Sequence, residues 1–159
     1  MQKQHKFFEA FPNNRKELND AFAYSVEGDN TLQALSGVNM QAFKKLRYCI
    51  QESEYSRKLI NILSSGTQDV RTDAIDSELH SFVFVLLNFE ETATPIVREL
   101  ESSDASQRSG FWSFMFSGEN DDNNRAIVDY CTELYEAKYP KAIAEMTKQY
   151  KRFFIENNR

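Results

Sequence analysis

Apolar residues recur at intervals of three and four through most of this chain, the spacing that gathers side chains on one face of a helix. The first such segment, about Lys3–Phe11, is stopped by Pro12, because the residue before a proline disfavours the helical region. Asn13 or Asn14 can cap a second helix, running to about Glu27 with Leu18, Phe22 and Val26 on one face, and Gly28 stops it. Thr31 can cap a short turn through Leu32 and Leu35 that halts near Gly37. Asn39 then opens a long helix to about Ser65. Its stripe is Leu46, Cys49, Ser53, Ser56, Ile60 and Leu63, with Phe43 and Ile50 beside it. The small residues at its centre either let a neighbouring helix come close or leave a polar pocket.

After Gly66, Thr67 can cap a helix that starts polar and turns apolar on all sides at Phe82–Leu87. On composition that run would also suit a buried strand. No turn signal precedes it, however, and Ile75, Leu79, Phe82 and Leu86 keep helical spacing, so it is predicted to be the central, most buried helix. Thr94-Pro95 reads as a fresh start, a capping hydroxyl followed by proline at the first helical position, with an end by about Ser102. Asp121 to Asn124 supplies caps for a helix with Ile127, Cys131 and Leu134 inward, and Tyr139-Pro140 breaks or kinks it. The last helix carries Tyr139, Ile143, Met146, Tyr150 and Phe153 at alternating intervals of four and three, which marks a packing seam. Five glycines and three prolines in 159 residues leave little turn chemistry for strands. The expected architecture is one all-α domain, residues 1–159, a bundle of about six or seven helices.

One stretch breaks this pattern. Gly110-Phe111-Trp112-Ser113-Phe114-Met115-Phe116-Ser117-Gly118 holds the only tryptophan, and polar runs flank it on both sides. Read as a connection, it carries five large apolar side chains that need something to cover them, either the protein's own core or a partner. Phe111, Trp112, Phe114, Met115 and Phe116 are therefore candidate partner-binding residues, and a homodimer through them is one form of that reading. At least one of Trp112, Phe114 and Phe116 is expected to stay substantially exposed.

Charge adds a second candidate surface. The net charge is −5, but Asp69 to Asp104 holds nine acidic residues against Arg71 and Arg98, whereas Lys138 to Arg159 holds six basic residues against two acidic ones. An acidic middle repels DNA and anionic membranes and favours a basic protein as partner. Asp69, Asp73, Asp76 and His80 share one helix face, with Glu78 beside them, and this face is the predicted docking surface. Asp129, Glu133 and Glu136 repeat the spacing on a later helix. The basic residues of the last helix read as a solvated face that also complements its C-terminus.

Several chemistries drop out. Two histidines and no Cys-x-x-Cys exclude the usual zinc frameworks, and no Glu-x-x-His pair exists for a di-iron site. The glycines stand too far apart for a phosphate-cradling loop, and there is no Gly-x-Ser-x-Gly elbow. A calcium loop starting at Asp122 would place Ile127 where the sharp turn needs glycine. No apolar run is long enough to span a bilayer, the N-terminus lacks the apolar core of a signal peptide, and Cys49 and Cys131 read as buried, reduced thiols of a cytoplasmic protein.

The sequence thus points first to a non-enzymatic cytoplasmic protein-binding regulator, such as an inhibitor, immunity-type antagonist, adaptor or chaperone, with no cofactor. A second reading is a divalent-metal-dependent nucleotide phosphohydrolase. It requires Asp73 and Asp76 to converge with Glu133 and Glu136 on one ion. A third is a helical sensor whose small-molecule cavity is lined by Cys49, Ser53 and Ser56.

Overall fold

The computed structural model describes residues 53–64, 80, 81, 83–118 and 121–157, and it is an all-α helical bundle. Five helices have defined bounds: α1 (Ser53–Ser64), α2 (Glu90–Ser102), α3 (Ala105–Gly118), α4 (Asp121–Tyr135) and α5 (Pro140–Asn157). Residues 83–87 form a further helical stretch ahead of α2, so this β-branched and aromatic run is helix, as its spacing predicts. The helices expected at about 3–11 and 13–27, the turn at 31–37, and much of those at 39–65 and 67–87 lie outside the described residues. Within the expected 39–65 helix, α1 buries Ser56, Ile60 and Leu63, the stripe read from the sequence.

The Gly110–Gly118 stretch is not a connection but the second half of α3. What starts this helix is local. The amide of Gln107 donates to Asp104 Oδ1 at 2.8 Å, and the amide of Asp104 donates to Gln107 Oε1 at 3.4 Å, a reciprocal capping box. The polar run before the aromatics is therefore two helix ends back to back. Ser103 closes α2 and Asp104 opens α3. α3 packs between α1 and α5 and also meets α2. A helix with neighbours on several sides needs apolar residues on several faces, which is why this one shows no clean amphipathic stripe. Trp112, Phe111 and Phe116 are the largest fully buried side chains of the core.

The two glycines serve close packing. A Cβ on Gly110 would collide with the carbonyl of Ser64 and sit 2.8 Å from its Cα, so the absent side chain is what lets the end of α1 rest on α3. A Cβ on Gly118 would run into the imidazole of His80.

α2 begins five residues before the predicted start at Thr94-Pro95. Phe89, in extended conformation, is its N-cap, and the Phe89 carbonyl accepts the amides of Thr92 and Ala93. Thr92 is buried, and its hydroxyl donates back to the Leu86 carbonyl, stitching the break between residues 83–87 and α2. Pro95 sits inside the helix, where it removes one i→i−4 donor. Thr94, instead of capping, shares a hydroxyl–hydroxyl hydrogen bond of 2.9 Å with Tyr135 of α4.

Pro140 occupies the first position of α5, where a missing N–H costs nothing, and Tyr139, Ile143 and Met146 are buried along the expected seam. Tyr150 and Phe153 pack against the core as its partly buried continuation. The first turn of α5 is held from α2: the Glu101 carboxylate accepts the amides of Lys141 at 3.3 Å and Ala142 at 2.7 Å. Arg108, in the first turn of α3, donates to the carbonyls of Leu100, Glu101 and Ser103 and so covers the C-terminus of α2. Further along, Gln149 Nε2 donates to Ser109 Oγ at 3.1 Å. The Thr94–Tyr135, Glu101–Lys141, Glu101–Ala142 and Ser109–Gln149 contacts join residues 40 or 41 positions apart. These four contacts tie α2 and α3 to the end of α4 and to α5.

Candidate interaction surfaces

The aromatic candidates lie inside. Phe111, Trp112 and Met115 are 0% exposed and Phe116 is 1% exposed, while Phe114 is partly buried against the core. Docking through Phe111, Trp112, Met115 or Phe116, including a homodimer through them, would require opening the bundle. The expectation that at least one of Trp112, Phe114 and Phe116 stands substantially exposed fails for Trp112 and Phe116 and leaves only the partly buried Phe114: a helix with neighbours on several sides covers rings that a loop would leave in water. Trp112 meets Phe111 edge-on at 5.0 Å and stacks on Phe116 at 5.8 Å, and Phe116 meets Tyr150 of α5 edge-on. Phe114 stacks flat on the buried ring of His80, with centroids 4.0 Å apart and planes within 2°. His80 is thus a packing residue between Phe114 and Gly118.

The acidic candidates divide. Asp69, Asp73, Asp76 and Glu78 lie outside the described residues. Asp129, Glu133 and Glu136 are exposed, and Asp122 and Ala126 continue their stripe along the outer side of α4 and the turn that ends it. The inner side of α4 is Asn124, Ile127, Cys131 and Tyr135. Leu134, predicted to point inward, is 40% exposed, because the helix is rotated to bury Tyr135 in its place. Among the described residues no three His, Cys, Asp or Glu side chains are grouped to hold a metal ion. Glu133 stands on the outer face of α4 and Glu136 in the turn after it, both exposed.

A second acidic feature was not legible as such in the sequence. Glu90, Glu91, Thr94, Pro95 and Arg98 line an open depression on α2. Tyr130 and Tyr135 of α4 reach toward it. Burial pushes the Tyr130 phenol up, with the Glu90 carboxylate adding to the shift. Burial likewise takes Tyr135 to about 12, offset in part by its bond to Thr94. The Cys131 thiol is free, buried and pushed up to about 12 by desolvation. None of the three ionises near neutral pH, so none is a nucleophile there.

Of the proposed sensor cavity, Cys49 lies outside the described residues and Ser56 is fully buried in the core. The basic last helix shows Lys141, Ala144, Lys148, Lys151, Arg152 and Ile155 exposed along its outer side. No helix among the described residues is long and apolar enough to cross a membrane. No protein family, no curated protein and no solved structure matches the chain.

Proposed function

We propose that this chain is a non-enzymatic protein-binding regulator of the cytoplasm, an inhibitor, antagonist, adaptor or chaperone that takes a basic partner on an acidic helical face. The observation that supports this reading is the outer stripe of α4, where Asp122, Asp129 and Glu133 are all exposed along about 17 Å of helix, with exposed Glu136 in the turn that follows. Glu90 and Glu91 on α2 add to the same sign of charge, with Phe89 (48% exposed) and Leu134 as apolar contacts nearby in the chain. Carboxylates steer a cationic partner and orient it, and exposed apolar side chains supply the area that exposed ion pairs lack.

The test is to isolate the partner from the native host with the tagged chain, then measure the purified pair by calorimetry across a salt series. Binding is expected to weaken with salt and to fall at least tenfold in an Asp129→Lys, Glu133→Lys variant that keeps its helical circular dichroism. Binding unchanged by both would overturn the acidic face as the docking site. Magnesium-dependent turnover of a nucleotide, abolished by Asp73→Asn, would overturn the non-enzymatic reading.

A further inference from the structure

The buried residues of α3 are all apolar, and so are those of α5 with one exception, Gln149. It is 4% exposed and stands three positions after Met146 and seven after Ala142, on the face that α5 buries. A leucine would fill this position by packing alone. A glutamine brings a donor and an acceptor that both have to be satisfied away from bulk water. Only the donor is. Nε2 gives one hydrogen bond to Ser109 Oγ on α3 at 3.1 Å and one to Glu145 Oε1 at 2.9 Å. A carboxylate accepts and does not donate, so Glu145 fixes the carboxamide with its nitrogen on that side and Oε1 on the other. Among the described residues Oε1 has no hydrogen-bond partner, and neither does the indole Nε1 of Trp112, which is 0% exposed.

The two side chains belong to one joint. Trp112 follows Ser109, the partner of Gln149, by three positions and so lies one turn on along the same side of α3. It stacks on Phe116, and Phe116 meets Tyr150, the neighbour of Gln149, edge-on at 5.7 Å. The joint therefore holds a buried donor with nothing to give to and a buried acceptor with nothing to take from, and they do not bond to each other. We infer that one ordered water is held in the seam between α3 and α5, accepting from Trp112 Nε1 and donating to Gln149 Oε1. A single molecule that accepts and donates at once satisfies both groups, and the Ser109 hydroxyl beside them is an acceptor for its second proton. The site accounts for a glutamine and a tryptophan, each with a polar atom, standing where packing alone asks for neither. It is independent of the acidic face of α4.

Trp112 is the only tryptophan, so its indole N–H gives one unambiguous NMR signal from the full chain. Water-selected NOE and ROE spectra should show a cross-peak between that proton and water, with the sign of dipolar contact and not of chemical exchange. The cross-peak should persist in Ser109→Ala, where no hydroxyl proton can relay it. It should vanish in Gln149→Leu, which fills the same position and removes the acceptor. Should Gln149→Leu lose its helical circular dichroism, a high-resolution crystal structure of the parent takes its place, with density expected for one oxygen about 3 Å from both atoms. The inference is overturned by an indole proton with no water cross-peak in the parent, or by a cross-peak that disappears with the Ser109 hydroxyl. A cross-peak that survives in folded Gln149→Leu, or density that bonds the indole directly to Gln149, overturns it equally.

Discussion

At the scale of single residues, the two glycines that bracket the aromatics carry the plainest lesson. In the sequence they bracket a stretch that reads as a connection; in the structure Gly110 is the point where the backbone of Ser64 meets α3. Gly110→Ala gains about 1 kcal/mol of helix propensity but forces a methyl group onto a backbone that has nowhere to go. The overpacking should dominate, leaving the variant about 1–3 kcal/mol less stable in urea denaturation. A variant as stable as the parent would mean that α1 does not press on α3 there. The sequence reports that a glycine is present but not whether it serves a turn or a close approach, because the partner backbone is 46 residues away in the chain. Trp112 posed the same problem: its size made it a candidate for burial or display, and only the neighbours of α3 decide between them.

At the scale of elements, helical periodicity sufficed where a helix has one wet face. The buried face of α5, the serine-bearing stripe of α1 and the helical state of 83–87 were all legible in spacing. Periodicity failed for α3, which is covered on several sides, and cap chemistry would have found it: Asp104-x-x-Gln107 is a capping box that the polar run conceals. It also misplaced the start of α2, because Thr94-Pro95 satisfies the local rule while the Phe89 carbonyl and the Thr92 hydroxyl do the work. The α5 cap could not be read locally at all, since its acceptor, Glu101, belongs to another helix. Glu101→Ala leaves the amides of Lys141 and Ala142 without that acceptor. It should cost about 0.5–2 kcal/mol, the range for losing a capping side chain, with hydrogen exchange accelerated in the first turn of α5. Unchanged exchange there would mean the cap contributes nothing.

At the scale of the whole molecule, the candidate surfaces were legible in part. The exposed stripe of α4 follows from counting intervals of three and four, whereas the depression on α2 depends on tertiary placement. The buried acids of the core make a separate prediction about pH. Cys131 and Tyr135 ionise in the unfolded chain near 9 and 10, while burial holds both to about 12 in the fold. The folded state therefore keeps protons that the unfolded state sheds, and stability should fall as pH rises from about 9 to about 12. Urea titrations across that window should show the fall, and Cys131→Ala should make it shallower. A flat profile would place the thiol and the phenol in water. Finally, the matched offset between the α2–α3 and α4–α5 pairs bears on how the chain collapses. Whichever of the Thr94–Tyr135, Glu101–Ala142 and Ser109–Gln149 bonds forms first must close a loop of 40 or 41 residues, at an entropic cost that grows only with the logarithm of its length. Once one is closed, its neighbour closes a loop of only seven or eight residues from each side. Each later contact therefore costs less entropy to close than the first, and the three should form cooperatively.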